Sequence, residues 1–199
     1  LPETAADTET LEVLVEEGLG LDAVSGGELY VGLASGMPPE RLSLHGNNKS
    51  RAELEMAIEA GIGKIIVDNF DEIGLLGELV AGREKPVTVL LRVNPGVDVH
   101  THKKISTGIA DSKFGLPIAD GEAARAVRQL SRMTGIHFAG YHAHIGSQLF
   151  EPDAYVDAID EMLRFAAQMR DEHGVELEQL SPGGGFGIAY VDADDPPAV

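Results

Sequence analysis

The segment from Ser181 to Gly187 reads Ser-Pro-Gly-Gly-Gly-Phe-Gly and follows an aliphatic run that predicts a strand. Three consecutive glycines let backbone N–H groups approach an anion closely, because no Cβ stands in the way, and such concave groups of amides bind phosphate. The segment lacks the G-x-G-x-x-G spacing of dinucleotide-binding turns, and no apolar helix follows it. It therefore indicates either a phosphate-binding turn or a flexible connection to the residues after it.

A pair of histidines ends another predicted strand, in the segment His142-Ala-His144-Ile-Gly-Ser147. Residues two apart in a strand point to the same side, so we expect both imidazoles at one face. Three interpretations are open: half of a zinc site, an imidazole that stacks on a flat cofactor while Ser147 binds its phosphate, or polar residues without a chemical role. The metal interpretation is the weaker one, because the further histidines His100 and His102 do not have a convincing ligand spacing.

Four more polar segments follow or end predicted strands. Taken singly, each is more typical of a turn than of a catalytic site. In a barrel, however, they would converge at the carboxyl end of the strands, where active sites lie. They are Ser25-Gly-Gly-Glu28, His45-Gly-Asn-Asn-Lys49, Arg92-Val-Asn-Pro95 and Lys113-Phe-Gly115. We expect a partner for the Arg92 guanidinium, since an unpaired buried charge is costly, whereas the Lys49 ammonium could equally be a solvated charge.

Strand and helix patterns alternate along most of the chain. Six apolar runs predict strands of a parallel sheet covered on both faces, over residues 21–25, 41–45, 64–69, 87–93, 136–144 and 177–181. Five patterns between them predict helices over residues 27–35, 50–60, 71–81, 120–132 and 153–172.

Helix boundaries carry their own signals in this sequence. Ser50 followed by Glu53 predicts a capping box, and Gly61 and Gly174 are predicted left-handed residues just past their helices. Three aspartates are predicted N-caps of the later helices: Asp71, Asp120 and Asp153.

Repeated strand–helix units predict an α/β protein, either a doubly wound sheet or a (β/α)8 TIM-type barrel. The first four strands follow one another at roughly 20–25 residues, which favours the barrel. Six strands do not close an eight-stranded barrel, so we expect an incomplete one with about six of the eight strand–helix units. We predict an N-terminal segment and helix over residues 1–20, the partial barrel over residues 21–190 and a tail or cut end over residues 191–199. Residues 94–118 lack periodicity, and a loop of that length is predicted to be functional.

Composition excludes several classes of protein. Lys and Arg number 15 against 33 Asp and Glu, a formal net charge of −18, which argues against a nucleic-acid partner. The sequence has no Cys, which excludes disulfides, thiolate metal sites and a cysteine nucleophile. No apolar run approaches the ~18 residues of a membrane span, and the first ten residues lack a signal-peptide core. We expect a cytoplasmic protein without a membrane partner.

Read together, the motifs resemble those of diaminopimelate decarboxylases, which belong to the alanine-racemase-like, fold-type III pyridoxal phosphate enzymes. The resemblance covers roughly residues 11–190, and the ordered set is more specific than any single motif. It is carried by Leu21-Asp-Ala-Val-Ser-Gly-Gly-Glu-Leu29, His45-Gly-Asn-Asn-Lys-Ser50, Arg92-Val-Asn-Pro95, Ile105-Ser-Thr-Gly108, Lys113-Phe-Gly115, His144-Ile-Gly-Ser-Gln148 and Gly183-Gly-Gly185.

The resemblance implies a barrel that holds pyridoxal 5′-phosphate at the carboxyl ends of its strands, with a β-rich second domain beyond it. His144 would stack on the pyridine ring, Ser147 and the backbone of Gly183, Gly184 and Gly185 would hold the phosphate, and Arg92 would belong to the polar surround of the ring. The family reaction removes one carboxylate of meso-2,6-diaminopimelate to give L-lysine and carbon dioxide. The full-length enzyme is expected to be a homodimer of lysine biosynthesis.

The sequence departs from the family pattern at its ends. The family's Schiff-base lysine lies on the first barrel strand, and the first ten residues here contain no lysine. The Glu-Pro-Gly-Arg segment that supplies an acidic partner to the ring nitrogen would lie beyond Val199. We therefore expect a middle segment that is inactive by itself. The alternatives are a non-catalytic or regulatory pyridoxal phosphate module, a related ornithine- or arginine-type decarboxylase, and a metal-dependent hydrolase built on His142 and His144.

Overall fold

The structure is a computed structural model that describes residues 8–97, 113–150 and 152–191. Helices and strands alternate along these residues, with a short 3₁₀ turn at Pro39–Arg41. The helices are α1 (Thr8–Glu16), α2 (Gly26–Ala34), α3 (Arg51–Ala60), α4 (Phe70–Leu79), α5 (Glu122–Leu130) and α6 (Asp153–His173). The strands are β1 (Leu21–Ala23), β2 (Leu42–Leu44), β3 (Lys64–Val67), β4 (Val87–Asn94), β5 (Leu116–Pro117), β6 (Ile136–His142) and β7 (Gln179–Ser181).

The strands form one parallel sheet in the order β1-β2-β3-β4-β6-β7, so each strand pairs with the next along the chain except at β5. The short β5 pairs with the last two residues of β4, Val93 and Asn94, beyond the point where β6 leaves that strand. Parallel strands joined in sequence by helices are the repeating unit of a TIM-type barrel. The predicted fold class, an incomplete (β/α)8 barrel, is confirmed.

The sheet curls strongly across its width. The Lys64 ammonium on β3 donates a hydrogen bond of 2.9 Å to the Gln179 side-chain oxygen on β7. Two strands stand between β3 and β7 in the sheet, so a flat arrangement would separate them by roughly 14 Å. The contact therefore runs across the concave side, which becomes the inner wall of the partial barrel.

The two faces of the sheet carry different side chains. One face packs against the helices through a large core of buried aliphatic residues, among them Leu29, Leu54, Val89 and Phe165. The concave face has a separate small apolar cluster of Ile66, Leu90 and Ala139. Beyond that cluster, toward the carboxyl ends of the strands, polar residues replace the apolar ones. These polar residues are not needed for the apolar core.

The predicted helix boundaries are confirmed at some positions and wrong at others. Ser50 and Glu53 form the predicted capping box of α3, and Gly61 ends that helix in the left-handed region. Gly174 ends α6 in the same way. Asp71 is not the N-cap of α4, because Asn69 accepts the Glu72 backbone N–H two positions earlier.

The remaining two predicted caps are also displaced. The N-caps of α5 and α6 are Gly121 and Pro152. Asp120 still accepts the Glu122 backbone N–H at 3.0 Å, so it stabilises the start of α5 from one residue further out. Asp153 lies in the first turn of α6, where its carboxylate interacts favourably with the positive end of the helix dipole.

All six predicted strands are present, each shorter than or close to its predicted length, and β5 was not predicted. Most of the predicted loop over residues 94–118, with His100, His102 and the Ile105–Gly108 motif, lies outside the described residues, as do residues 192–199. No helix among the described residues is long and apolar enough to cross a membrane.

A polar cavity at the carboxyl ends of the strands

The polar residues after the strands enclose one large cavity of about 1300 Å³. It opens at the carboxyl ends of β1, β2, β4, β6 and β7, and its lining comes from the last residues of these strands and from the residues after them. Its lining includes Asp22, Val24, His45, Asn47, Arg92, Phe114, His142, His144, Ser147, Ser181, Gly183, Gly184, Gly185, Phe186 and Ile188.

All six residues predicted to bind a cofactor line this cavity: Arg92, His144, Ser147, Gly183, Gly184 and Gly185. His142 lines it as well, as the two-residue spacing predicted. The segment Ser25-Gly-Gly-Glu28 does not reach the cavity, because Ser25 caps α2 by accepting the Glu28 backbone N–H at 3.2 Å. Its turn chemistry, rather than a role in the site, accounts for its residue types.

The glycine turn lies directly against the loop that follows β6. A Cβ on Gly183 would stand 2.4 Å from the carbonyl oxygen of Ala143, and one on Gly185 would stand 1.9 Å from that of Gly146. Both glycines also have positive φ angles, +80° and +99°, which residues with a Cβ rarely adopt. Gly184 differs, because an added Cβ would meet no described atom within 4 Å. The fold requires its two neighbours to be glycine, whereas the space over Gly184 is open cavity.

Arg92 is held by a buried carboxylate. Its guanidinium lies 3.3 Å from Asp68 Oδ2 and 4.7 Å from the centre of the Phe114 ring. The other oxygen of Asp68 accepts the Gly115 backbone N–H at 2.8 Å. The predicted partner for Arg92 is therefore confirmed, and the same carboxylate ties the segment after β4 to the cavity wall.

Lys49 is neither a cavity residue nor a solvated charge. Its side chain is 2% exposed and lies 2.8 Å from Glu72 Oε1, whose side chain is 3% exposed. The ammonium also donates to the carbonyl oxygens of Gly46 and Ile66, at 2.5 and 2.7 Å. Burial raises the pKa of Glu72, and the adjacent ammonium of Lys49 opposes part of that rise. The pair fixes the loop after β2 from behind the cavity.

Two histidines and an aspartate form another part of the cavity wall. Asp22 Oδ1 lies 3.3 Å from His45 Nε2, and the His45 ring contacts the His142 ring edge-on at 4.8 Å between centroids. Burial by itself raises the pKa of Asp22, but hydrogen bonding and the charge of His45 outweigh it and lower that pKa. Burial, with His45 and Arg92 nearby, lowers the pKa of His142 to about 3, so its imidazole is neutral.

The described residues contain no group of three or more His, Cys, Asp or Glu side chains placed to hold a metal ion. His142 and His144 therefore gain no further ligand from the described part of the chain. His100 and His102 lie outside it.

His45 and Phe114 belong to the polar segments predicted to converge at the strand ends, and both line the cavity. Sequence reasoning missed two acidic residues: Asp22, which lines the cavity, and Asp68, which pairs with Arg92. Asp22 did carry a signal, because it is the only charged residue in its short strand. Asp68 directly follows an aliphatic strand, as Arg92 ends one, and two opposite charges at neighbouring strand ends can pair.

Comparison with known protein families supplies the identification. Residues 4–199 match the sequence model of the pyridoxal-dependent decarboxylases, specifically of their pyridoxal binding domain. The chain belongs to this family. The predicted cofactor, pyridoxal phosphate, is thereby confirmed at the level of the family.

Curated relatives among the pyridoxal-dependent decarboxylases carry the predicted name. The chain is 49% identical over 184 residues to the diaminopimelate decarboxylase of Halalkalibacterium halodurans, which covers 92% of the chain and 42% of that relative. It is 47% identical over 186 residues to the diaminopimelate decarboxylase of Bacillus subtilis, again covering 42% of that relative. The chain thus spans less than half the length of these enzymes.

Solved structures of pyridoxal-dependent decarboxylases share the fold. A diaminopimelate decarboxylase from M. jannaschii, crystallised with L-lysine, superposes with a TM-score of 0.89 at 35% identity, over 97% of this chain and 44% of that one. The Helicobacter pylori enzyme, also complexed with L-lysine, gives a TM-score of 0.87 at 27% identity, over 98% and 48% of the two chains.

Proposed function

We propose that the chain is part of a pyridoxal phosphate-dependent carboxy-lyase that converts meso-2,6-diaminopimelate to L-lysine and carbon dioxide. The family match and the names of the relatives support the reaction class. The observation that carries the proposal is geometric: His144, Ser147, Arg92 and the glycine turn come from three separate strand ends and line one cavity.

The cavity residues fit pyridoxal phosphate. The backbone of Gly183, Gly184 and Gly185 forms a turn at the cavity surface, and the open space over Gly184 leaves room for a phosphate beside it. Ser147 adds a hydroxyl from the facing loop. We propose that these groups bind the phosphate and that the His144 imidazole stacks on the ring.

Arg92 supplies the positive charge in this arrangement. Its ion pair with Asp68 and its contact with the Phe114 ring fix the guanidinium at the cavity wall. A cation fixed at this position can bind an anionic group of the cofactor or the substrate. The protein then need not rearrange when the charge distribution changes during the reaction. When bound, pyridoxal phosphate supplies an electron sink for cleavage of the bond to the carboxylate. The chain's own residues orient that bond and shield it from water.

The lysines of the described residues do not line the cavity. Lys49 lies behind the wall in its pair with Glu72, and Lys64 is bonded to Gln179 across the inner face of the sheet. We propose that the lysine that holds the cofactor covalently comes from another part of the whole protein, and that this chain does not decarboxylate by itself.

The reaction is tested with the full-length protein that contains this chain. We expect release of carbon dioxide and L-lysine from meso-2,6-diaminopimelate that depends on added pyridoxal phosphate. L-ornithine and L-arginine serve as competing substrates. Preferential turnover of either would instead assign a related decarboxylase, and reversible cofactor binding without carbon dioxide release would assign a non-catalytic module.

The variant Gly184→Ala separates an effect on cofactor binding from an effect on the stability of the fold. An added methyl group meets no described atom, so the free energy of unfolding of the apo protein should stay within about 0.5 kcal/mol of wild type. The same methyl occupies the space beside the proposed phosphate, so the dissociation constant for pyridoxal phosphate should rise at least about tenfold. Fluorescence titration and urea unfolding measure the two quantities. Unchanged affinity would contradict the proposed phosphate position.

A further inference from the structure

We infer that Gln148 is a positioning residue that clasps the two phosphate-facing loops into one rigid cradle. The inference rests on the proposed function, because it concerns how the same cavity holds its phosphate. The loops are residues 143–150, after β6, and residues 182–188, after β7. They are remote in sequence, so their relative position depends on the contacts between them.

The Gln148 side chain makes a two-point contact with the second loop. Its Nε2 donates to the carbonyl oxygen of Ile188 at 3.1 Å, and its Oε1 accepts the backbone N–H of Ile188 at 3.1 Å. A side-chain amide that engages both polar groups of one residue reproduces a strand pairing. This contact extends the backbone bridge that Leu149 makes with Gly185 and Gly187, with hydrogen bonds of 2.9 and 2.8 Å.

The backbone at Gln148 adopts a conformation that its side chain disfavours. Its φ is +56°, and among the described residues it is the one non-glycine with a positive φ. Residues held in that region persist where the surrounding structure imposes the conformation, and they cluster at functional sites. Here the left-handed turn directly follows Ser147, so it sets where the Ser147 hydroxyl and the adjacent backbone lie.

The glycine turn receives a second support from α6. Tyr155 donates its hydroxyl hydrogen to the carbonyl oxygen of Gly184 at 3.0 Å, and its ring stacks on Phe186 at 4.6 Å. That bond orients the Gly184 peptide but touches only the second loop. The Gln148 side chain adds a link between the two loops beside the Leu149 backbone bridge. Its loss should therefore loosen the phosphate end of the cavity while leaving the barrel intact.

The test uses the full-length protein and three variants of Gln148. Gln148→Glu keeps the length of the side chain but cannot donate to Ile188. Gln148→Asn tolerates the left-handed backbone and is too short to reach, and Gln148→Gly removes both the clasp and the backbone strain. Gln129→Glu and Gln129→Asn make the same chemical changes on the exposed face of α5 and serve as matched controls.

The dissociation constants for pyridoxal phosphate and for pyridoxal, which lacks the phosphate, distinguish a loss of phosphate binding from a general loss of stability. We expect all three Gln148 variants to bind pyridoxal phosphate about tenfold more weakly, through poorer charge-assisted hydrogen bonds to phosphate. Their affinity for pyridoxal and the melting temperature of the apo protein should match those of the Gln129 controls.

Three other results would overturn the inference. Gly and Asn variants with wild-type affinity would show that the clasp is dispensable. Equal losses for pyridoxal and pyridoxal phosphate, with a lower melting temperature, would reduce Gln148 to a structural residue. A loss in the Gln129 variants as well would remove the specificity of the effect. A wild-type protein that binds neither compound would overturn the proposed function, a different outcome from wild-type binding that Gln148 does not affect.

Discussion

Replacing Lys49 with Met is expected to lower the free energy of unfolding by about 3–5 kcal/mol, the usual cost of removing one partner of a buried ion pair. The Lys49 and Glu72 side chains are almost fully buried, and their charged atoms are 2.8 Å apart. The methionine fills the space of the lysine stem but leaves the Glu72 carboxylate without its counter-charge. Urea unfolding of the full-length protein measures the loss.

The loss should depend on pH in a direction that the geometry fixes. Burial raises the pKa of Glu72 above its ordinary value of 4.5, and the Lys49 ammonium restrains that rise. A carboxyl with a raised pKa in the folded state contributes stability below its unfolded pKa, and this contribution is lost as pH rises through the folded pKa. Without Lys49 the folded pKa rises further. The variant should therefore be closer to wild type at about pH 5 than at about pH 8.

Two further variants serve as controls for the charge effect. Lys64→Met removes the same charge and the same stem, but its partner is the neutral Gln179 amide, so we expect a loss of only about 1 kcal/mol. The double change Lys49→Met with Glu72→Gln removes both charges and keeps an oxygen for the Asp68 backbone N–H, which Glu72 accepts at 3.1 Å. It should recover most of the stability. A destabilisation of the single variant that is the same at both pH values would contradict this account.

The strand order and the position of the cavity could be predicted from the sequence because local signals carried them. Each aliphatic run of a parallel sheet is buried whatever its neighbours are, so its composition reports the strand directly. Polar residues at strand ends must then gather at one end of a barrel. Arg92 and His144 were accessible to this reasoning, since each breaks an apolar run.

The partners of those residues could not be predicted, because pairing across the sheet depends on register and curvature. Lys49 illustrates the limit: a lysine beside a helix start is usually solvated, and only its burial against α4 makes Glu72 its partner. The short β5 has just two residues, too few for any periodicity to show. The clasp by Gln148 depends on a left-handed backbone, and a glutamine in the sequence does not predict that conformation.

Replacing His144 with Ala in the full-length protein is expected to lower kcat by about 100-fold, since loss of a group that aligns the reacting bond costs that much. His144 lines the cavity and lies in the same loop as Ser147, and we propose that its flat ring covers one face of the cofactor. Without it one face of the cofactor would be left uncovered, so the dissociation constant for pyridoxal phosphate should rise as well. Assays of carbon dioxide release measure kcat, and cofactor titration measures the dissociation constant.

A second variant of His144 and a control variant on β6 decide whether the effect is specific to stacking. His144→Phe restores a flat ring without nitrogen atoms, so cofactor affinity should recover more fully than turnover if stacking is the main role. His137 lies at the opposite end of β6 in an exposed pair with Glu178, 2.9 Å apart, and its change to Ala should leave both quantities unchanged because exposed pairs contribute little. Normal turnover in His144→Ala, or an equal loss in His137→Ala, would contradict the stacking role. A loss that His144→Phe does not repair in cofactor affinity would point instead to a hydrogen bond from the imidazole, since only its nitrogen atoms distinguish the two rings in that respect.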